Sequence, residues 1–316
     1  MKKRSIVIVI VAAIVAIVAI AAIGAISLLR ARTANSEAVR IYLPEGTTFA
    51  ALCDTLDARP TFRLMAHALK LDEHVRPGSY VVEARQRELS LVRKLRNGQQ
   101  DPIRLTIGKF RTPEQLNEYL NSKLMHNDFH VTLDSFYLIR PNTYEVYWTV
   151  TPEGFMKRME REFEKFREVR ECKDLGAFRE VIILASIVEE ETNNNGEKPL
   201  IASVYLNRLK RGMPLQADPT VKYAVGDFGL RRILNKHLAE ESPFNTYLHT
   251  GLPPAPICLP SDASVDAVLK APESNYLYFC ASEALDGTHR FATTLGEHSR
   301  NAARFHAALN RKGILR

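Results

Sequence analysis

The pattern of apolar and polar positions opens on one uninterrupted run. Ser5 to Leu29 is almost entirely Ile, Val, Ala and Leu, broken only by Ser5, Gly24 and Ser27. At about 1.5 Å per residue such a run crosses a hydrocarbon core of roughly 30 Å as a helix. The apolar region of a cleaved signal is shorter, about 7–15 residues, and no small-x-small site follows before Arg30. The pattern therefore predicts a transmembrane helix over residues 5–29 behind a tail of residues 1–4. Ala-rich triplets inside the run keep a cleaved signal as the alternative. Lys2, Lys3 and Arg4 before the run, against Arg30 and Arg32 after it, favour an N-terminus in the cytoplasm and the rest of the chain outside.

Past a polar connector the periodicity shortens and alternates. Val39, Ile41 and Leu43 share one face of a strand; Phe49, Leu52, Cys53 and Leu56 repeat at helical spacing, as do Phe62, Met65, Ala66 and Leu69. Pro77-Gly78 turns into a strand at Ser79–Val82, and a helix from Leu89 to Leu95 stops at Asn97-Gly98. These elements predict a small α+β module over residues 39–106. A second, larger α+β domain is expected over residues 110–316. It begins at Thr112-Pro113-Glu114-Gln115, a helix start with proline at the first helical position and a capping glutamine. Thr151-Pro152-Glu153 opens a helix bearing Phe155, Met159, Phe163 and Phe166, and the stretch from Phe136 to Trp148 is aromatic-rich. From Gln216 to Tyr223 and from Asn245 to Pro260 the chain reads as loop. A hairpin pairing Tyr276–Cys280 with Thr288–Ala292 and a helix from about Gly296 complete the reading.

The helix at Phe178 to Thr192 is the most informative. Val181, Ile182, Ile183, Leu184, Ala185, Ile187 and Val188 leave it no polar face, so it should be covered on all sides. It nevertheless ends in Glu189, Glu190 and Glu191, followed by Asn193-Asn194-Asn195-Gly196. A second helix then carries Ile201, Val204, Tyr205 and Leu209 to Gly212.

Composition narrows the function by exclusion. The net charge is +7, but residues 1–32 hold five basic side chains and no acid, leaving 38 basic against 36 acidic residues beyond them. A nucleic-acid partner loses its main support. Cys53, Cys172, Cys258 and Cys280 form no zinc pattern; a Cys258–Cys280 disulfide and buried free thiols both remain open. His126 and His130 lack a nearby third ligand. H-E-x-x-H, G-x-S-x-G and a phosphate-binding glycine loop are all missing. No metal and no cofactor is expected.

The glutamate cluster carries the candidate chemistry. A helix C-terminus is partially negative, so each anion there is disfavoured by about 0.3–1 kcal/mol. Adjacent like charges and burial act in the same direction and raise at least one carboxyl pKa. A carboxylic acid kept protonated near neutral pH suits glycosidic cleavage, where the leaving oxygen needs a proton. Helical geometry alone does not separate Glu190 from Glu191, and a solvated acidic helix end is the plainer reading of this motif by itself.

The run Leu184-Ala185-Ser186-Ile187-Val188-Glu189-Glu190-Glu191-Thr192 resembles the Leu-Ala-Ser-Ile-Val-Glu-x-Glu-Thr motif of the endolytic murein transglycosylases, the YceG-like family. Further blocks follow in the same order: Tyr205-Leu206-Asn207-Arg208-Leu209, Leu215 to Val221 with Tyr223, Asn245-Thr246-Tyr247, Thr250 to Pro254, Tyr276 to Phe279 and His289-Arg290-Phe291. The resemblance implies that residues 39–106 form a LysM-like, glycan-binding module and that Glu191 is the catalytic acid. It implies substrate contacts from Gln216, Asp218, Thr220, Tyr223, Asn245 and Tyr247. It further implies a cytoplasmic (inner) membrane location, peptidoglycan glycan strands as substrate, and peptidoglycan synthases as candidate partners. Three departures stand out: Glu190 replaces a common lysine, Asn142 replaces an aspartate, and Ala255 replaces a frequent glycine. The reaction implied is non-hydrolytic, with one carboxyl serving twice. A muramidase using Glu191 and Asp218, and a wall-binding protein without catalysis, are the alternatives.

Overall fold

The computed structural model describes residues 2–230 and 232–313. The first residue of the expected tail and the last three of the expected 110–316 domain lie outside the described residues. The chain divides into two compact units. The first comprises Met1–Leu105 with Lys123–His126 and Glu145–Val150; the second holds the remainder. The fold is mixed α+β.

In the first unit, helix α1 (Lys2–Arg30) includes the stretch Val7–Arg30, within which an 18-residue window has mean hydropathy 3.2, and it is long and apolar enough to cross a membrane. Strand β1 (Val39–Leu43), helices α2 (Phe49–Thr55) and α3 (Pro60–Ala68), and strand β2 (Gly78–Val82) follow, then helix α4 (Glu88–Arg96). β1 and β2 pair antiparallel, Val39 facing Val82 and Leu43 facing Gly78. Ile41 and Leu43 of β1 point into a core with Leu52, Phe62, Met65, Tyr80, Leu91 and Leu95. Thr48 caps α2 by accepting from the Ala51 N–H at 3.2 Å. Past Asn97, the chain turns at Gly98 with φ +64°, a conformation that costs glycine little. Strand β3 (Ile103–Ile107) pairs with β4 (Asn142–Val146) in a second two-stranded sheet.

The second unit is mostly helical. Helices α5 (Pro113–Lys123), α6 (Leu133–Phe136) and α7 (Pro152–Val169) lead to α8 (Leu175–Glu191) and α9 (Lys198–Lys210). Helices α10 (Asp218–Val225), α11 (Asn235–Leu238) and α12 (Asp262–Leu269) follow. A hairpin of β5 (Tyr278–Ala281) and β6 (His289–Ala292), with Tyr278 opposite Ala292, precedes α13 (Leu295–Arg311). One of these helices overlaps a stretch that the apolar pattern reads as loop. α10 begins within residues 216–223, its eight residues too few to show a helical period, and α12, to which the pattern assigned no element, begins just past the stretch read as loop up to Pro260.

Helix α8 is the centre of this unit. Asp174 caps it, accepting from the Gly176 and Ala177 N–H groups at 2.7 and 3.1 Å. Its residues Ile182 to Val188 are all buried, packed by Ile201, Ala202 and Tyr205 of α9, Val265 and Val268 of α12, and Ala255 and Ile257 of the preceding loop. The polar atom in this apolar shell, the Ser186 hydroxyl, donates to Ile183 O at 2.7 Å and accepts from Ile257 N at 3.0 Å. The buried Cys258 thiol donates to Ser186 O at 3.4 Å, and burial pushes its pKa well up. All four cysteines are free thiols.

Phe166 of α7 is buried with two guanidinium groups at its ring. Arg140 and Arg170 lie 3.6 and 3.7 Å from the ring centroid, distances that only opposite faces can accommodate. Both cations are held there by carboxylates of α12, Arg140 by Asp262 at 2.8 Å and Arg170 by Asp266 at 2.8 Å. A partly desolvated cation–π contact contributes about 1–2 kcal/mol. Phe166→Leu keeps an apolar side chain but loses both contacts, so urea unfolding should show a destabilisation of about 2–4 kcal/mol. A loss below about 1 kcal/mol would show that the ring acts through bulk alone.

Candidate active site

Three consecutive residues on a helix point about 100° apart, and the last turn of α8 therefore sends its three glutamates to three different surroundings. Glu189 turns toward α12 and α9. Its Oε2 accepts from Lys198 Nζ at 3.0 Å and from the hydroxyls of Ser261 and Ser264. Burial alone would raise its pKa, but the two serines and Lys198 outweigh it and hold the carboxyl below its ordinary value. Glu190 is paired with Lys109 at 2.9 Å and Arg111 at 3.1 Å. Both are charges already matched.

Among the described residues no cation forms an ion pair with Glu191. Its Oε1 accepts from the Tyr205 hydroxyl at 2.5 Å. Burial dominates and raises its pKa to about 7, against the lowering effect of Tyr205. Asp218 raises it further, while Lys222 and Arg208 lower it. This corrects one expectation from the sequence. The adjacent glutamates are not what perturbs Glu191, because cations from two other segments neutralise them; desolvation is the cause, and the nearby carboxylate that matters comes from α10.

Dense packing surrounds Glu191, but one edge stays open where two clefts meet. The narrower, of about 260 Å³, is lined by Glu191, Tyr205, Arg208, Gln216, Asp218, Tyr247, Phe279 and His298 among others. The wider, of about 710 Å³, runs past Thr192, Asn193 and Asn194 to Ser282, Thr288 and His289. His289 Nδ1 lies 2.9 Å from Glu197 Oε2, and its backbone N–H donates to Glu197 Oε1 at 2.9 Å.

Of the residues singled out in the sequence, the structure brings Glu191, Gln216, Asp218 and Tyr247 to one cleft. Gln216 stands at φ +51°, its N–H donating to Thr246 O at 3.0 Å. Asp218, the first residue of α10, accepts from the Tyr247 hydroxyl at 2.7 Å. Burial and this contact push the Tyr247 pKa upward. Asp218 thus braces Tyr247. The other three expected substrate residues do not line the cleft. Thr220 is buried, donating to Ala217 O at 2.7 Å and meeting Thr246 Oγ1 at 2.8 Å. Asn245 is buried and ties its loop through Leu238 O, Glu240 O and the Tyr247 N–H. Tyr223 packs its ring 4.5 Å from that of Phe244. These three hold the cleft's walls in place.

Tyr205 and Arg208 escaped the sequence reading, which assigned Tyr205 to the apolar face of α9. Arg208 is buried and gives Nε to Leu277 O and Nη1 to Leu215 O, both at 2.7 Å. An arginine one turn after a tyrosine on a buried helix face was the available signal, since a buried cation needs fixed acceptors.

The model of the YceG-like family matches residues 41–304. The chain belongs to the YceG-like family. It is 37% identical over 163 residues to an endolytic murein transglycosylase of Bacillus subtilis, a match covering 51% of this chain and 44% of that protein. A protein of the same name from Streptococcus pneumoniae is 31% identical over 171 residues, 52% of this chain and 31% of that protein. The chain's matches thus span less than half the length of these relatives. The crystal structure of a YceG-like protein from Listeria monocytogenes superposes with a TM-score of 0.51 at 26% identity, covering 84% of this chain and 99% of that one. Among the described residues of this YceG-like chain, no three His, Cys, Asp or Glu side chains are grouped to hold a metal ion.

The raised Glu191 pKa has a stability consequence with a definite sign. Between the ordinary value of 4.5 and about 7 the unfolded chain binds fewer protons at this position than the folded one. Folding therefore loses stability as pH rises through that window. Glu191→Gln lacks this loss, so its melting temperature relative to wild type should rise between pH 4.5 and pH 7.5. A difference that stays flat across the window would show that Glu191 titrates alike in both states.

Proposed function

We propose that this chain is an anchored endolytic lytic transglycosylase that cleaves peptidoglycan glycan strands, with Glu191 as its catalytic residue. The observation that carries this reading is the Glu191 carboxyl itself, pushed to about 7 at the meeting of two clefts. The names of the Bacillus and Streptococcus relatives support it.

In this reading the protonated Glu191 gives its proton to the oxygen joining N-acetylmuramic acid to N-acetylglucosamine, and the bond from muramoyl C1 to that oxygen breaks. The N-acetylglucosamine side leaves as an alcohol. The Glu191 carboxylate then takes the proton of the muramoyl C6 hydroxyl, whose oxygen closes on C1. The product is a 1,6-anhydro end, no water is consumed, and the acid is restored. A pKa near 7 suits both halves, since the group must be neither a strong acid nor a weak one. Glu189 and Glu190, held by Lys198, Lys109 and Arg111, take no part.

Asp218 lines the same cleft, which makes a two-carboxylate muramidase the second reading. Its carboxylate is engaged by Tyr247 and supports a positional role instead.

The antiparallel β1–β2 pair enclosing α2 and α3 supports a LysM-like module within residues 39–106, with a glycan strand as its ligand. Helix α1 serves as the anchor in the cytoplasmic membrane, with the clefts outside. If so, a folded fragment of residues 39–106 sediments with purified wall material, and a reporter fused to the C-terminus is active only outside the cytoplasm. A folded fragment that stays in solution, or a soluble mature form beginning near Ala34, would count against these two assignments respectively.

Glu191→Gln keeps size and a hydrogen-bonding amide but moves no proton. It should lose activity by about 10²–10⁴-fold or more while still folding. Asp218→Asn should lose about tenfold, some 1.4 kcal/mol of transition-state stabilisation, and Glu190→Gln little. Mass analysis of wild-type products should find anhydro ends that borohydride cannot reduce. Reducible muramic acid ends with complete loss in Asp218→Asn would move the chain to the hydrolases, and full activity in Glu191→Gln would remove the mechanism.

A further inference from the structure

The two carboxyl oxygens of Glu191 are not equivalent. Oε1 accepts from the Tyr205 hydroxyl at 2.5 Å, while Oε2 has no hydrogen-bond partner among the described residues. Tyr205 is itself fixed. It is 2% exposed, sits on α9 with its ring edge-on to Phe279 at 5.8 Å, and packs in the shell around α8. Its hydroxyl therefore meets Glu191 from a helix packed in the core rather than from a loop.

We propose that Tyr205 is a positioning residue: its hydroxyl pins Oε1 of Glu191, so that Oε2 is the oxygen that delivers and then recovers the proton. This rests on the reading of Glu191 as the catalytic acid. A carboxyl with two free oxygens has two rotational arrangements to lose before reaction, and one pinned oxygen removes that ambiguity in advance. The pin also acts unevenly along the reaction. A phenol donates a stronger hydrogen bond to a carboxylate than to a neutral acid, so the Tyr205 contact strengthens as the proton leaves Glu191 and weakens as it returns. Asp218 and Lys222 of α10, Tyr247 of the neighbouring loop, Arg208 of α9 and His298 of α13 act on this carboxyl or line the narrower cleft with it, and Asp286 and His289 line the wider one. Tyr205 alone among the described residues bonds it directly.

Tyr205→Phe removes the hydroxyl and keeps the ring packed. In full-length protein, the carboxyl ¹³C signal of Glu191, assigned by its loss in Glu191→Gln, should titrate with a midpoint above that of wild type. The alkaline limb of kcat/KM on isolated glycan strands should move up with it, and kcat should fall about 10–100-fold with KM within about twofold. Site-specific 3-fluorotyrosine at position 205, a stronger donor of nearly the same shape, should move the midpoint the other way. An unmoved midpoint in both variants, or a rise in KM alone, would overturn the pin. Absence of anhydro products from wild type would defeat the parent reading, while the carboxyl titration would still decide the pin.

Discussion

A helix without a polar face has to be covered on every side, and covering α8 organises the larger unit. Each buried Val, Leu or Ile side chain gains roughly 1.5–3 kcal/mol, and Ile182, Ile183, Leu184, Ile187 and Val188 are all buried. Against that, placing acids at the helix C-terminus costs about 0.3–1 kcal/mol each. The apolar burial is the larger effect, so the helix keeps its position and the acids must be accommodated where it ends. Helices α9, α10 and α12 pack against α8, and α9 and α12 also supply polar groups at this end, Lys198 and Tyr205 from the first and Ser264 from the second.

How the three carboxylates are accommodated decides which of them can react. Lys198 and two serine hydroxyls satisfy Glu189; Lys109 and Arg111 satisfy Glu190. A buried carboxylate with matched hydrogen bonds and cations stays ionised and is chemically quiet. Glu191 receives one phenolic hydroxyl and, among the described residues, no ion-paired cation, so desolvation prevails and the neutral form is favoured. The two cations bound to Glu190 keep that anion from acting on its neighbour.

The surrounding loops follow the same logic. Arg208, buried on α9, fastens the Leu215 and Leu277 carbonyls, and thereby fixes the segment that carries Gln216 and Asp218. Thr220 and Thr246 share a buried hydroxyl pair, and Asn245 ties three backbone groups. Polar residues in these loops are thus divided between holding the cleft and lining it.

The sequence by itself determined the apolar first helix, the alternating strands of the small unit, the start of α7 at its Thr-Pro cap, and the buried run of α8. Each rests on a periodicity or a cap that spans only a few residues and needs no distant partner. It also marked the glutamate cluster, because acids ending an all-apolar helix are conspicuous in any frame. Tertiary structure alone decided which glutamate is left unmatched, since the deciding groups, Lys109, Arg111, Lys198, Ser261, Ser264 and Tyr205, lie up to about eighty residues away along the chain. It likewise separated Gln216, Asp218 and Tyr247 from Thr220, Tyr223 and Asn245. All six are polar residues in or beside irregular stretches, and a linear pattern carries no sign of which side of a wall a side chain faces. Short helices such as α10 and α12 fell below the length at which a period can be read. Their existence depends on packing against α8, an interaction that forms only once the distant segments have met.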